Sequence, residues 1–327
     1  MQSTPVTPTC SAVALSLVVP CYNEADGLGE LLRRTTTAAE AEFGDSYEIV
    51  LVDDGSADET WSKISEAADR DGHIVGVKLA RNHGHQIALT AGLHVARGER
   101  VFVIDADLQD PPELIGPMHQ VMQSEQADVV YGRRRTRSGE TPFKKMSASI
   151  FYRLLARTTV AEIPKDTGDF RLMTRRIAKL IAEMPEQDRF IRGMVAWLGY
   201  KQVPFDYERD ARFAGSTKYP FKKMLLFAVD AFVGFSMVPL RIAAYIAALL
   251  FALVIVGLIY TIIVYVTSDT VQGWTSLMLL ILLVSGVQLA ALAVIGEYVG
   301  RTYLSTKQRP LFLIDEIKIA EAMKSGD

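Results

Sequence analysis

The chain has 327 residues, 49% of them hydrophobic, and a formal net charge of -3. That length accommodates one large domain or two ordinary ones, and the balanced charge excludes a general affinity for nucleic acid. Two cysteines, Cys10 and Cys21, exclude a disulfide framework or a cysteine metal site and give no sign of an oxidising compartment.

Residues 1–14 begin "MQSTPVTPTCSAVA" and lack a charged segment ahead of an apolar core, so they read as a flexible polar tail and not as a signal peptide. From residue 15 to residue 218 a catalytic domain is expected. Short β-branched runs recur along it: "SLVVPCYN", "YEIVLVDDGS", "HIVGVKLA", "RVFVIDADLQD" and "DVVYGRR". Between them lie helix-length segments such as 28–42 and 111–123. Continuous apolar strands alternating with helices predict an α/β fold with a mostly parallel, Rossmann-like sheet covered on both faces.

Such sheets bind ligands beyond the carboxyl ends of their strands. Four successive strand ends here carry Asn23 and Glu24, Asp53 and Asp54, Arg81 and Asn82, and Asp105 and Asp107. No Gly-x-x-x-x-Gly-Lys loop is present and no Gly-x-Gly-x-x-Gly follows the first strand, so ATP-motor and nicotinamide readings are weak. Asp105 and Asp107 are two residues apart and can converge on one cation as the chain leaves the sheet. Their hard oxygens suit Mg²⁺ or Mn²⁺, which would take diphosphate oxygens as further ligands, with Gln109 as another possible donor. An acidic, solvated turn is the plainer alternative. His83, His85 and His94 lack a third spaced ligand and read as polar residues at the start of a helix rather than as a metal site.

Arg133, Arg134 and Arg135 form a local basic patch after the fifth strand. Planar guanidinium groups grip phosphate through paired hydrogen bonds, so the patch suits an anionic acceptor; a solvated basic turn is the alternative for each. "DTGDFRL" supplies Asp166, Asp169 and Arg171, with Asp169 either orienting substrate or ion-paired to Arg171. "EQDRFIRGMVAWLGY", with Arg189 and Arg192, reads equally as an acceptor-side helix or a packing helix.

The pentapeptide "PFKKM" occurs twice, at 142–146 and 220–224. Each copy opens an apolar helical stretch, predicting interfacial helices over 142–158 and 219–240 that place Lys144, Lys145, Lys222 and Lys223 among anionic head groups. Each lysine there contributes on the order of 1 kcal/mol. Two uncharged segments follow, 242–266 and 274–296, within a membrane region spanning 241–297. About 20 residues cross the ~30 Å hydrocarbon core, so both predict transmembrane helices. The connection "TSDTVQ" carries no Lys or Arg, whereas Arg241 precedes the pair and Arg301, Lys307 and Arg309 follow it. Both termini and the catalytic domain are therefore expected on the cytoplasmic side of the inner membrane, with 298–327 as a cytoplasmic tail.

"VVPCYNE", "VDDGS", "LARNHGHQIAL", "DADLQDPPE", "YGRR", "DTGDFRL" and "RFAGSTKY", in this order ahead of two apolar segments, resemble the inverting family 2 glycosyltransferases that load sugars onto polyprenyl phosphate. The likeness is to membrane-anchored bactoprenol glucosyltransferases, with dolichol-phosphate mannose synthases as cousins, and it covers nearly the whole chain. It implies a GT-A nucleotide-diphospho-sugar transferase fold. It also implies that Pro20, Tyr22 and Glu24 contact the donor nucleotide, with Val52 and Asp54 flanking its base or ribose and Asp53 supporting that loop. Asp105 would lie near ribose and metal, Asp107 would be the main metal ligand and Gln109 would complete the shell. Arg134 matches the arginine after the fifth strand; Arg212 and Lys218 match "R-x-x-G-x-S-K", with Thr217 in place of the usual serine.

The expected reaction moves a hexose, with glucose from UDP-glucose as the first choice, onto undecaprenyl phosphate. GDP-mannose or a modified aminoarabinose donor stays open, as does homo-oligomerisation. From other classes, a sugar nucleotidyltransferase leaves the apolar pair unexplained, and a non-catalytic membrane scaffold leaves the Asp-x-Asp unexplained. A processive synthase lacks its Gln-x-x-Arg-Trp pattern here.

Overall fold

The computed structural model describes residues 13–134, 167–187, 189–208 and 273–320, together with isolated helical positions between 243 and 259. Both PFKKM copies, the two expected interfacial helices, Arg135, Asp166, Arg212, Lys218, Lys144, Lys145, Lys222 and Lys223 lie outside the described residues, as does most of the expected span 242–266.

The chain divides into two compact units. In the first, eight strands form one sheet: β1 (Leu15–Cys21), β2 (Tyr47–Asp53), β3 (Ile74–Leu79), β4 (Arg100–Val103), β5 (Val129–Arg134), β6 (Thr167–Thr174), β7 (Gln202–Tyr207) and β8 (Ile314–Lys318). Their order is β7-β5-β6-β4-β1-β2-β3-β8. β1 to β4 are mutually parallel, with Leu17 opposite both Ile49 and Phe102. β6 runs antiparallel between β4 and β5, and β8 runs antiparallel along β3. This is the GT-A arrangement that the resemblance implies, a mostly parallel sheet with a reversed strand beside the strand that leads into the aspartates.

The helices are α1 (Leu28–Phe43), α2 (Thr60–Arg70), α3 (His85–Val95), α4 (Ile115–Ser124, after a 3-10 turn at Pro112–Leu114), α5 (Arg175–Glu183) and α6 (Ile191–Trp197). Alternation along β1 divides the core. Leu15, Leu17, Val19 and Cys21 join Leu28, Leu31 and Ala39 of α1, while Val18 faces Gly92 of α3 on the other side. Each of these leucines is at most 2% exposed, and fully burying such a side chain contributes about 1.5–3 kcal/mol. The strands are fixed by apolar burial on both faces, which leaves polar chemistry to their carboxyl ends.

Two differences from expectation bear on the site. Residues 167–172, for which no strand was expected, belong to one: β6 is buried from Thr167 through Met173 even though it carries Asp169 and Arg171. Two buried, mutually paired charges had masked its strand character. Within the expected tail, Ile314–Lys318 form a strand of the sheet. Leu313 accepts a backbone hydrogen bond from Ala80 at 2.9 Å, β8 covers the edge of β3, and Lys318 and Asp315 pair with Asp69 and Lys78. An open edge leaves a row of unpaired N–H and C=O groups, which β8 satisfies.

In the second unit, α7 (Trp274–Thr306) begins where the second expected span begins and continues ten residues beyond its expected end at 296. Its segment Leu283–Thr306 has a mean hydropathy of 1.5 and is long and apolar enough to cross a membrane. Leu283, Leu289 and Leu292 are each more than 60% exposed, a pattern that suits a lipid environment better than water.

Candidate active site

The first two strand ends are stitched into one surface. Asn23 adopts a left-handed conformation (φ 53°), which its short polar side chain tolerates, and its Oδ1 accepts from the Ala57 N–H at 2.9 Å. The Ser56 hydroxyl accepts from the Asn23 N–H and the Thr60 hydroxyl from the Glu24 N–H, both at 3.0 Å. Tyr22 is 41% exposed at the rim. Pro20 and Val52 are partners in the β1–β2 register, and both are buried.

Asp53 and Asp54 are buried and serve loops. Asp53 accepts from the Ser56 N–H at 3.3 Å. The Asp54 carboxylate accepts from His83 N–H at 2.7 Å and Gly84 N–H at 2.9 Å, and its carbonyl accepts from Asn82 Nδ2 at 3.0 Å. Burial pushes both carboxyls upward, and the backbone donors oppose the rise. Asp54 thus sets the path of residues 82–84 into α3, while Arg81 stays exposed.

Gly55 permits this junction. Its φ is +67°, and an added Cβ would lie 2.5 Å from Asn82 N and 2.6 Å from the Arg81 carbonyl carbon. Gly55→Ala is expected to lower the melting temperature by roughly 2–12 °C, through about 1–3 kcal/mol of backbone strain at about 2–4 °C per kcal/mol for a domain of this size. An unchanged melting temperature would contradict this close approach.

Beyond β4 the chain turns through Asp105, Asp107 and Gln109. Leu108 is forced left-handed (φ 55°), and the Gln109 N–H donates to Asp107 Oδ1 at 3.2 Å. Oδ1 of Asp105 is buried and, among the described residues, accepts no hydrogen bond; His85 Nε2 lies 3.4 Å away, within ion-pair range. Burial raises the Asp105 carboxyl, His85 opposes that rise, and the charges of Asp169, Asp110 and Asp107 add to it. A buried carboxylate oxygen without a donor, amid other carboxylates, suits a cation. Among the described residues no three His, Cys, Asp or Glu side chains form a closed cage.

Asp169, 4% exposed, is a hub. Gln86 Nε2 donates to its Oδ2 at 2.7 Å, and Arg192 Nε donates to its Oδ1 at 3.2 Å. His85 Nε2 lies 3.4 Å from Oδ2, and Arg171 Nη2 is 3.8 Å from Oδ1. Burial works against these charges, yet Arg192, His85 and Arg171 outweigh it and hold the Asp169 carboxyl well below its usual range. Burial also opposes protonation of His85, but Asp169 and Asp105 prevail and raise its pKa to about 9. Gln86 additionally accepts from the Ile191 N–H at 3.0 Å, which ties the start of α6 to the hub.

His85, Gln86 and Arg192 are the residues that sequence reasoning underweighted. His85 had been set aside as part of a helix start, and Arg192 shared an undecided packing helix. Their signal was position alone, since His85 follows the polar end of β3. The rest of α6 is packing: Ile191, Met194 and Val195 are buried, and Arg189 donates to the Ile181 carbonyl at 2.7 Å.

The adjacent arginines diverge. Arg133 makes an exposed two-pronged pair with Asp206 of β7, at 2.5 and 2.8 Å. Arg134, 25% exposed, turns to the other face beside Asp110 and Tyr207, where it feels the charge of Asp105. Strand alternation separates the two side chains, and only Arg134 joins the aspartate end of the sheet.

Residues 16–181 match the family described as glycosyl transferase family 2. "Uncharacterized glycosyltransferase YkcC" of Bacillus subtilis is 43% identical over 93% of this chain and 94% of its own length. "Prophage bactoprenol glucosyl transferase homolog" of Escherichia coli is 37% identical over 93% of this chain and 99% of its own. "Bactoprenol glucosyl transferase" of Shigella phage SfX is 36% identical, with 93% of this chain and 99% of that protein covered.

Proposed function

Because the chain belongs to glycosyl transferase family 2, among its polyprenyl-phosphate glycosyltransferases, we propose that it moves glucose from UDP-glucose to undecaprenyl phosphate with inversion. The observation that carries the reading is the buried Asp105 carboxylate at the end of β4, with Asp107 two residues on, His85 at 3.4 Å and Arg134 nearby. The names of the bactoprenol relatives support both the glucosyl group and the lipid carrier.

Asp105 and Asp107, with Gln109, would hold a divalent cation, which would supply charge neutralisation to the donor diphosphate. The chain's own residues do the rest. The loops at 22–25 and 54–60 receive the nucleoside; Arg212 and Lys218, by their motif, would add charge at the diphosphate. An acceptor phosphate monoester has its second pKa near ~6, so it is largely dianionic at neutral pH and attacks without a strong base. Its oxygen forms the bond to the anomeric carbon as the bond to the diphosphate breaks, and the electron pair leaves with UDP. Arg134 aims the acceptor. Asp169, already paired with cations, orients these groups instead of removing a proton.

The apolar α7 supports membrane association; the Lys and Arg flanking the apolar segments, against none in the connection "TSDTVQ", support the catalytic unit and both termini being on the cytoplasmic side. Lys144, Lys145, Lys222 and Lys223, together with Arg135, would hold the acceptor end of the site against anionic lipid.

The deciding experiment incubates purified protein with Mg²⁺, undecaprenyl phosphate and a panel of UDP- and GDP-sugars, then identifies the glycolipid by mass. Hexosyl product from UDP-glucose at a rate at least about tenfold above the other donors is expected; preference for another sugar overturns the donor, and no glycolipid from any donor overturns the transferase reading.

A further inference from the structure

Asp110 is fully buried (0% exposed), five residues beyond Asp105 in the same turn. A buried carboxylate is costly unless it is paired, so its surroundings must compensate for it. The Tyr207 hydroxyl donates to Asp110 Oδ1 at 2.5 Å. Arg134 Nη2 stands 3.8 Å from Asp110 Oδ2, and Arg134 Nε donates to the same Tyr207 oxygen at 3.4 Å. Arg134 and Tyr207 are direct partners in the parallel β5–β7 register, so both project from the same end of the sheet.

The other wall of this seat is backbone. A Cβ on Gly168 would lie 2.9 Å from Arg134 Nη2, so the guanidinium occupies the space that a side chain at 168 would need. With Nε and Nη2 engaged, Nη1 of Arg134 has no partner among the described residues. Arg133, one residue earlier, shows what an unseated arginine does here, pairing outward with Asp206.

We propose that Asp110 and Tyr207 are positioning residues that seat the Arg134 guanidinium beside the Asp105 turn, so that engagement of the acceptor's phosphate depends on them. The inference rests on the polyprenyl-phosphate reading above. Through this seat the turn that carries the donor-side aspartates is tied directly to the acceptor-side arginine, and the two substrates' anionic groups are set at a fixed separation.

The test measures initial rates of glycolipid formation in wild type, Tyr207→Phe, Arg134→Ala and the double variant, varying donor and acceptor separately. Tyr207→Phe deletes one oxygen and keeps the ring's packing against Phe170 (centroids 5.2 Å apart), so it is a milder probe than Asp110→Asn, which neutralises a buried charge. The expected result is an acceptor KM raised about tenfold with a donor KM changed by less than about twofold, the scale of one hydrogen bond in a charged network. In the Arg134→Ala background the same substitution should add less than about twofold, because its effect runs through Arg134.

A Tyr207→Phe enzyme with both KM values unchanged, or with both raised alike, overturns the positioning role. So does full additivity with Arg134→Ala. A wild-type protein that forms no glycolipid overturns the function on which the inference stands, whereas an active wild type without the KM split overturns this inference alone.

Discussion

Asp107→Asn is expected to reduce glycolipid formation about a hundred- to a thousandfold while leaving the protein folded. Asparagine keeps the shape of the side chain, and its Oδ1 still accepts the Gln109 N–H that closes the turn at 3.2 Å. What it loses is negative charge next to a second carboxylate. Stabilising charge on a departing diphosphate is the main task in this reaction, and removing one such electrostatic partner typically costs 10²–10³ or more in rate. The check is a paired measurement of turnover and thermal melting, with wild type after exhaustive chelation as the reference. A normal melting curve with lost turnover is expected. Wild-type turnover in the variant, or in the chelated enzyme, would remove the cation from the reaction.

Asp169→Asn is expected to act on stability first. The substitution leaves Arg171, itself only 3% exposed, facing a neutral amide along with Arg192 and His85. Burial already draws the Arg171 guanidinium down to about 10, and loss of the anion that opposes this leaves an uncompensated buried cation. Removing one partner of such a pair costs about 3–5 kcal/mol. The pH dependence follows from the sign of the shift. Asp169 is held below its unfolded value, so its contribution is fully present above about pH 4 and is lost as the pH falls through the depressed value. The stability gap between wild type and variant should therefore be flat between about pH 6.5 and 5, narrow on stronger acidification, and also narrow as the pH rises from about 6.5 towards about 9, where the support that Asp169 gives protonated His85 is lost. Equal stability combined with a large loss of kcat would instead make Asp169 a proton acceptor in the reaction.

The two variants separate roles that the motifs leave merged. Asp107 accepts the Gln109 N–H within its own turn, and in the proposed reaction its charge would serve the cation. Asp169 meets side chains from α3, β6 and α6, so its charge holds those elements together at the site. Loss of the first is expected to appear in rate, and loss of the second in folding before rate.

Local pattern was enough to place the parallel strands, the polar residues at their ends and the Asp105–Asp107 pair, because apolar runs and short spacings are set by neighbours in the chain. It was also enough to find the apolar helix that begins at Trp274. It could not show that β6 inserts antiparallel between β4 and β5, or that β8 returns to cover β3, since strand pairing is chosen by distant partners. The same reason hid the roles of His85, Gln86 and Tyr207. Gln86 reaches Asp169 across 83 residues and Tyr207 reaches Asp110 across 97, and nothing in either local stretch encodes the other. Burial of charge beside charge, the feature that gives this site its electrostatics, exists only once the sheet has brought those segments together.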